Sequence, residues 1–185
     1  KKNYENVIPK KYHNVSYETD VFPEIKTELV KQIKNKEGLY LWGEPGCGKT
    51  HIACALAKQL IDEGFNVMFL NTGDFLERIR EEYNKVFEDE EYMGIFREVM
   101  NFEGILIFDD IGAEKASEWT IERLYLIINK KWEDMHPMIF TSNCDIEVLS
   151  ARLKDRVTSR IAGMTTRIMI LGGDKRLTSK SNEAN

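Results

Sequence analysis

Eight consecutive residues, Gly43, Glu44, Pro45, Gly46, Cys47, Gly48, Lys49 and Thr50, have the types and spacing that cradle nucleotide phosphates. Glycines let the backbone turn tightly, so successive N–H groups converge on one anion. Lys49 is a point charge placed for the β- and γ-phosphates. Thr50 offers a hydroxyl to Mg2+, a hard cation that takes oxygen ligands. A helix starting here aims the positive end of its dipole at the same phosphates. ATP or ADP with Mg2+ is the ligand this chemistry implies.

Residues 105–108 are apolar and end in Asp109 and Asp110. In a phosphate-loop fold such a strand is expected beside the strand at 38–42, its C-terminal end facing the phosphates, which puts Asp109 near the metal's hydration shell. Asp110 then stands where it can position or deprotonate a water. An acidic pair after a strand is, on its own, an ordinary cap or turn; the upstream loop gives it a chemical reading. Residues 138–143, Met-Ile-Phe-Thr-Ser-Asn, form another strand with a polar end. From it Asn143 can hydrogen-bond a γ-phosphate or the attacking water. Arg152, Lys154, Arg156 and Arg160 crowd one short run. They read either as a solvated helix face or as the source of an arginine given in trans to a neighbouring subunit.

These groups need elements to hold them. Residues 38–42 read as a buried strand running into the loop, and residues 50–63 as a helix stopped by Gly64. A helix over 24–35 precedes them. A strand over 66–70, a helix over 74–86 and a helical stretch through Ile95, Phe96, Val99 and Met100 follow, with an acidic break at 88–91. Then come a strand at 104–108, a helix at 117–132 and a strand at 138–141. Asp145 is placed to cap a helix through Leu153. A helix at 156–162 and a strand at 165–171 complete the set. Strands alternating with helices imply a parallel sheet covered on both faces.

The 185 residues suffice for one well-cored domain, and 42% hydrophobic with 31% charged residues is ordinary globular composition. A net charge of −5 argues against a protein coated in basic charge for duplex DNA, though not against a local basic groove. Cys47, Cys54 and Cys144 are scattered without metal-ligand spacing, which suits a reducing cytoplasm. His13, His51 and His136 are equally dispersed, so no zinc site is expected. No signal peptide and no membrane-spanning run is apparent.

Four signatures stand in order: GEPGCGKT, ILIFDD, FTSN and RVTSRI. Together they resemble an AAA+ ATPase: a P-loop NTPase with a five-stranded parallel sheet flanked by helices. More narrowly the chain resembles the DnaC/DnaI replicative helicase loaders and the related IstB-type transposition helper ATPases. The narrower likeness rests on IPKKY at 8–12, DDIGAE at 109–114, SEW at 117–119 and LGGDKR at 171–176. It implies Walker A at 43–50 with His51 adjoining, Walker B at Asp109 and Asp110, and sensor 1 at Asn143. It makes Arg160 the arginine finger for self-association in trans, with Arg156 as second choice. Tyr12 and His13 would lie near the adenine.

The resemblance divides the chain into an arm at 1–23, an ATPase domain at 24–178 and a polar tail at 179–185. It adds an upstream helicase-binding domain. Walker B ends Asp-Asp where AAA+ proteins generally have Asp-Glu, and the short tail leaves little or no room for a C-terminal helical lid. Arg176 is a poor stand-in for a sensor 2 arginine. Both departures suit a slow, nucleotide-controlled switch. The implied partners are the replicative DNA helicase and single-stranded DNA. Arg78, Arg80, Lys85 and Arg97 are available for DNA on an element that equally reads as a solvated hairpin. A transposition helper remains the alternative, and a small-molecule kinase a more distant one.

Overall fold

The computed structural model describes residues 4–15, 23–85, 94–113 and 117–172. Val86, the acidic break at 88–91, Glu114, the side chain of Lys85, Arg176 and the tail at 179–185 lie outside the described residues.

Five strands form one sheet: β1 (Gly38–Trp42), β2 (Val67–Asn71), β3 (Ile105–Asp109), β4 (Met138–Ser142) and β5 (Thr165–Met169). All pair in parallel, in the spatial order β2-β3-β4-β1-β5. The strand ending in Asp109 is therefore not beside β1 as expected: β4 pairs with both and lies between them. Seven helices connect or precede them among the described residues: α1 (Pro23–Lys34), α2 (Lys49–Asp62), α3 (Thr72–Lys85), α4 (Ile95–Asn101), α5 (Glu118–Glu133), α6 (Ile146–Leu153) and α7 (Asp155–Met164). Every expected element is present, with ends shifted by a residue or two. Asp145 does cap α6, accepting from Val148 N–H at 2.8 Å.

Side chains alternate across a strand, so each central strand feeds two cores. Leu39, Leu41, Ile105, Ile107 and Ile139 point to one face, where Leu29, Val30 and Ile33 of α1 and Ile52, Leu56 and Leu60 of α2 cover them. Tyr40, Leu106, Phe108, Met138 and Phe140 point to the other, against α3, α4, α5, α6 and α7. Both layers leave β1, β3 and β4 nearly free of solvent, which is why these strands read as continuous apolar runs. The arm belongs to the first layer: Ile8 and Val15 are buried in it.

The register matters for chemistry. Phe108 lies opposite Phe140 and Leu41 opposite Thr141, which sets the last residues of β1, β3 and β4 side by side at one rim.

Candidate functional site

β1 runs into the phosphate loop because Gly43 permits it. A β-carbon at Gly43 would sit 2.4 Å from the Ile170 carbonyl oxygen, so the loop and the segment after β5 pack too closely for any side chain. Gly43 N–H donates to Ser142 O at 3.3 Å, tying the loop to the tip of β4. Gly46 and Gly48 adopt positive φ of 83° and 103°, and Gly48 is the N-cap of α2 with no side-chain cap bond. Glu44 and Pro45 form the exposed tip, while Cys47 is buried beneath it. Lys49 is 6% exposed, and its ammonium donates to Gly43 O at 2.8 Å and Glu44 O at 2.9 Å. The loop therefore curls around its own lysine.

Thr50, one residue into the helix, meets the second motif. Its hydroxyl donates to Asp109 Oδ1 at 2.9 Å and stands 3.2 Å from Oδ2. Asp109 also accepts from the Thr141 hydroxyl at 2.6 Å, and its main-chain oxygen accepts from Thr72 at 2.8 Å. Burial pushes the Asp109 carboxyl above the usual carboxylate range, and neighbouring Asp110 pushes the same way; the hydroxyls of Thr141 and Thr50 pull it back. The donor set here is a hydroxyl beside a carboxylate. That suits Mg2+, which binds through one or two protein oxygens and completes its shell with waters and substrate phosphates. Among the described residues no group of three or more His, Cys, Asp and Glu could hold a metal ion. Thr50 and Asp109 are the residues that could hold Mg2+, with a bound nucleotide supplying further ligands.

Asp110 takes a left-handed conformation, φ 60°, at the start of a turn. Three successive residues, the last two of β4 and the one after it, grip that turn. Thr141 accepts from Asp110 N–H through its hydroxyl at 2.8 Å and from Ile111 N–H through its carbonyl at 2.9 Å. The Ser142 hydroxyl donates to Ile111 O at 2.8 Å. Asn143 Nδ2 donates to Asp110 Oδ1 at 2.7 Å. From α6, Arg152 donates to Gly112 O at 2.7 Å. The loop, both carboxylates and Asn143 thus come together at one rim. Thr72, Thr141, Ser142 and Arg152 are participants that sequence reasoning did not assign. Thr141 and Ser142 were inside the FTSN string, but their partners follow only from the strand order.

The arm reaches the same region from the α2 side. Tyr12 packs edge-on against His51, with ring centroids 6.2 Å apart. The His13 ring hydrogen-bonds Ile8 O at 3.1 Å, within the arm itself. A residue not singled out, Lys58 of α2, holds the arm down: its ammonium donates to His13 O at 2.8 Å and Val15 O at 2.6 Å, and lies over the Tyr4 ring.

Arg160 packs onto α5 of its own chain. Its Nε donates to Asn129 Oδ1 at 2.8 Å, and the guanidinium sits 4.2 Å from the Trp132 ring centre. Arg156 lies over Tyr125 on the same helix. On α3, Arg78 pairs with Glu82 and Arg80 lies 5.3 Å over Trp119.

A family model described as "IstB-like ATP binding protein" matches residues 16–180. The chain belongs to this family. Among curated proteins, the IstB-like chain is similar to the replicative helicase loader DnaC of Escherichia coli K12, 24% identical over 119 residues, covering 64% of this chain and 47% of that one. It is also similar to an insertion sequence IS5376 protein of Geobacillus stearothermophilus, 28% identical over 113 residues, covering 60% of this chain and 42% of that one. It spans less than half the length of either relative. Among solved structures, the DnaC helicase loader superposes with a TM-score of 0.75 at 25% identity, covering 88% of this chain and all of that one. The P-loop AAA+ architecture of the loaders is therefore the fold of this IstB-like chain.

Proposed function

We propose that this chain is the ATPase module of a replicative helicase loader, using ATP with Mg2+ as a slow switch. The observation that carries the reading is the junction of Thr50, Asp109, Asp110 and Asn143 at one rim of the sheet, directly under the phosphate loop. Lys49 leaves the loop carbonyls to meet the β- and γ-phosphates. Thr50 and Asp109 would hold Mg2+, which would supply charge neutralisation to those phosphates. Asp110 orients the attacking water, with Asn143 reporting on the γ-phosphate. Tyr12 and His51 border the adenine.

The loader reading is supported by the likeness to DnaC across nearly the whole chain. The partners it implies are the replicative helicase and single-stranded DNA, with exposed Arg78, Arg80 and Arg97 as cationic groups available for the latter. A transposition helper is the second reading, favoured by the family model itself and by the insertion-sequence relative.

The test is capture by the full-length protein with ATP and Mg2+ present, using purified replicative helicase and purified transposase as bait. Helicase capture that Lys49→Ala abolishes is expected. Capture of transposase alone moves the assignment to the second reading, and capture of neither overturns both.

A further inference from the structure

We infer that Thr141 is the positioning residue of the nucleotide site, setting the geometry of the metal-side carboxylate and of the water-side carboxylate together. The inference rests on the ATPase reading above. A threonine hydroxyl has one proton to give and lone pairs to accept with. Here both capacities are committed. A backbone N–H can only donate, so the bond from Asp110 N–H at 2.8 Å makes the hydroxyl an acceptor there. Its own proton is then directed at Asp109 Oδ1, 2.6 Å away. Thr141 is 1% exposed, so no solvent competes for either bond.

The consequences differ on the two sides. Asp109 Oδ1 receives two hydroxyls, from Thr141 and Thr50, whereas among the described residues Oδ2 has only the 3.2 Å approach of Thr50. The carboxylate is held against rotation, with Oδ2 keeping most of its lone-pair capacity for a metal-bound water. On the other side, Asp110 is left-handed at φ 60°, a conformation that a non-glycine residue keeps only when its surroundings impose it. The hydroxyl and carbonyl of Thr141 hold the N–H groups of Asp110 and Ile111, which turns the Asp110 carboxylate to Asn143. One side chain thus serves both carboxylates without touching the nucleotide, as outer-shell partners of metal sites do.

Thr141→Val keeps the shape and removes both bonds; Thr141→Ser restores the hydroxyl. Three quantities are measured on the full-length protein: binding of a fluorescent ATP analogue in EDTA, the Mg2+ concentration giving half-maximal hydrolysis, and kcat against KM for ATP at saturating Mg2+. For Thr141→Val, metal-free binding stays within about 2-fold of the parent, the Mg2+ midpoint rises about 10-fold and kcat falls about 10-fold with KM nearly unchanged. Thr141→Ser recovers both within about 2-fold. If the valine variant does not fold, Thr141→Cys, a weak donor of similar size, gives a smaller shift in the same direction. A folded valine or cysteine variant with parental Mg2+ midpoint and kcat overturns the inference alone. A parent that binds no nucleotide overturns the ATPase reading and this inference with it.

Discussion

At the scale of single residues, Asp109 works against the fold it belongs to. Burial raises its carboxyl above the ordinary range, so the ionised form is less at home in the folded chain than in the unfolded one. The raised group adds stability only where it is protonated in the fold; that contribution is complete below about pH 4 and is lost as pH climbs through the raised folded value. At neutral pH the charge is therefore a cost. Asp109→Asn should melt higher than the parent at pH 7 without nucleotide, with the gain fading in acid, while Mg2+-dependent nucleotide binding collapses. Thermal melts across pH, with and without Mg-ATP, check both halves, and a variant melting lower at pH 7 would count against the picture. Asp109 itself could be picked from the sequence because an apolar run ending in an acid has few other meanings downstream of a phosphate loop. Its supporting hydroxyls, Thr72 and Thr141, could not: they become neighbours only once β3 lies between β2 and β4, an order that local pattern does not state.

At the scale of elements, α2 does two jobs. Its first turn carries Lys49 and Thr50, and its third carries Lys58, which clamps the arm through the His13 and Val15 carbonyls. Losing such charge-assisted bonds typically costs about 1–3 kcal/mol. Lys58→Ala is expected to lower stability by about that amount and to free the arm. It should weaken ATP binding while leaving inorganic tripolyphosphate binding intact, since in the proposed arrangement the phosphates meet the loop and only the base meets the arm. Competition titrations with the two ligands measure the contrast; equal losses would place the arm away from the base. Helix α5 shows what periodicity misses. Its apolar positions Leu124, Ile127 and Ile128 point inward as their spacing predicts, yet Lys131 is also buried. The Lys131 ammonium reaches the Met100 and Phe102 carbonyls at the end of α4, and burial holds its pKa below the ordinary value. Trp132, by contrast, is half exposed and serves as a platform for Arg160. A lysine in a helix reads as solvent-facing unless the chain beyond the helix brings it a partner.

At the scale of the whole molecule, the question is whether Arg160 of one chain serves the nucleotide of another. Arg160 is packed on Trp132 and Asn129, while the carboxylates of its own site are met by Thr50, Thr141 and Asn143. Arg160→Ala should leave nucleotide affinity of the dilute protein unchanged and reduce ATP-dependent self-association and hydrolysis, the latter by about 1,000-fold or more if the arginine acts in trans. Sedimentation with ATP and a hydrolysis assay across protein concentration decide it; full activity with normal association would leave Arg160 a packing residue. The parallel α/β architecture was legible because both faces of the central strands are covered and the alternation of elements is regular. Where β4 lies was not, and that placement has a hereditary consequence. Residues 141–143, at and just past the end of β4, and residues 109–111, at and just past the end of β3, are bonded as two matched words, hydroxyl to carboxylate and amide to carbonyl. A slip of β4 by one residue would put Phe140 where Thr141 stands and misspell every pair together. Drift in either word is thereby constrained by the other, so lineages descending from this chain should alter the two in concert or leave both untouched.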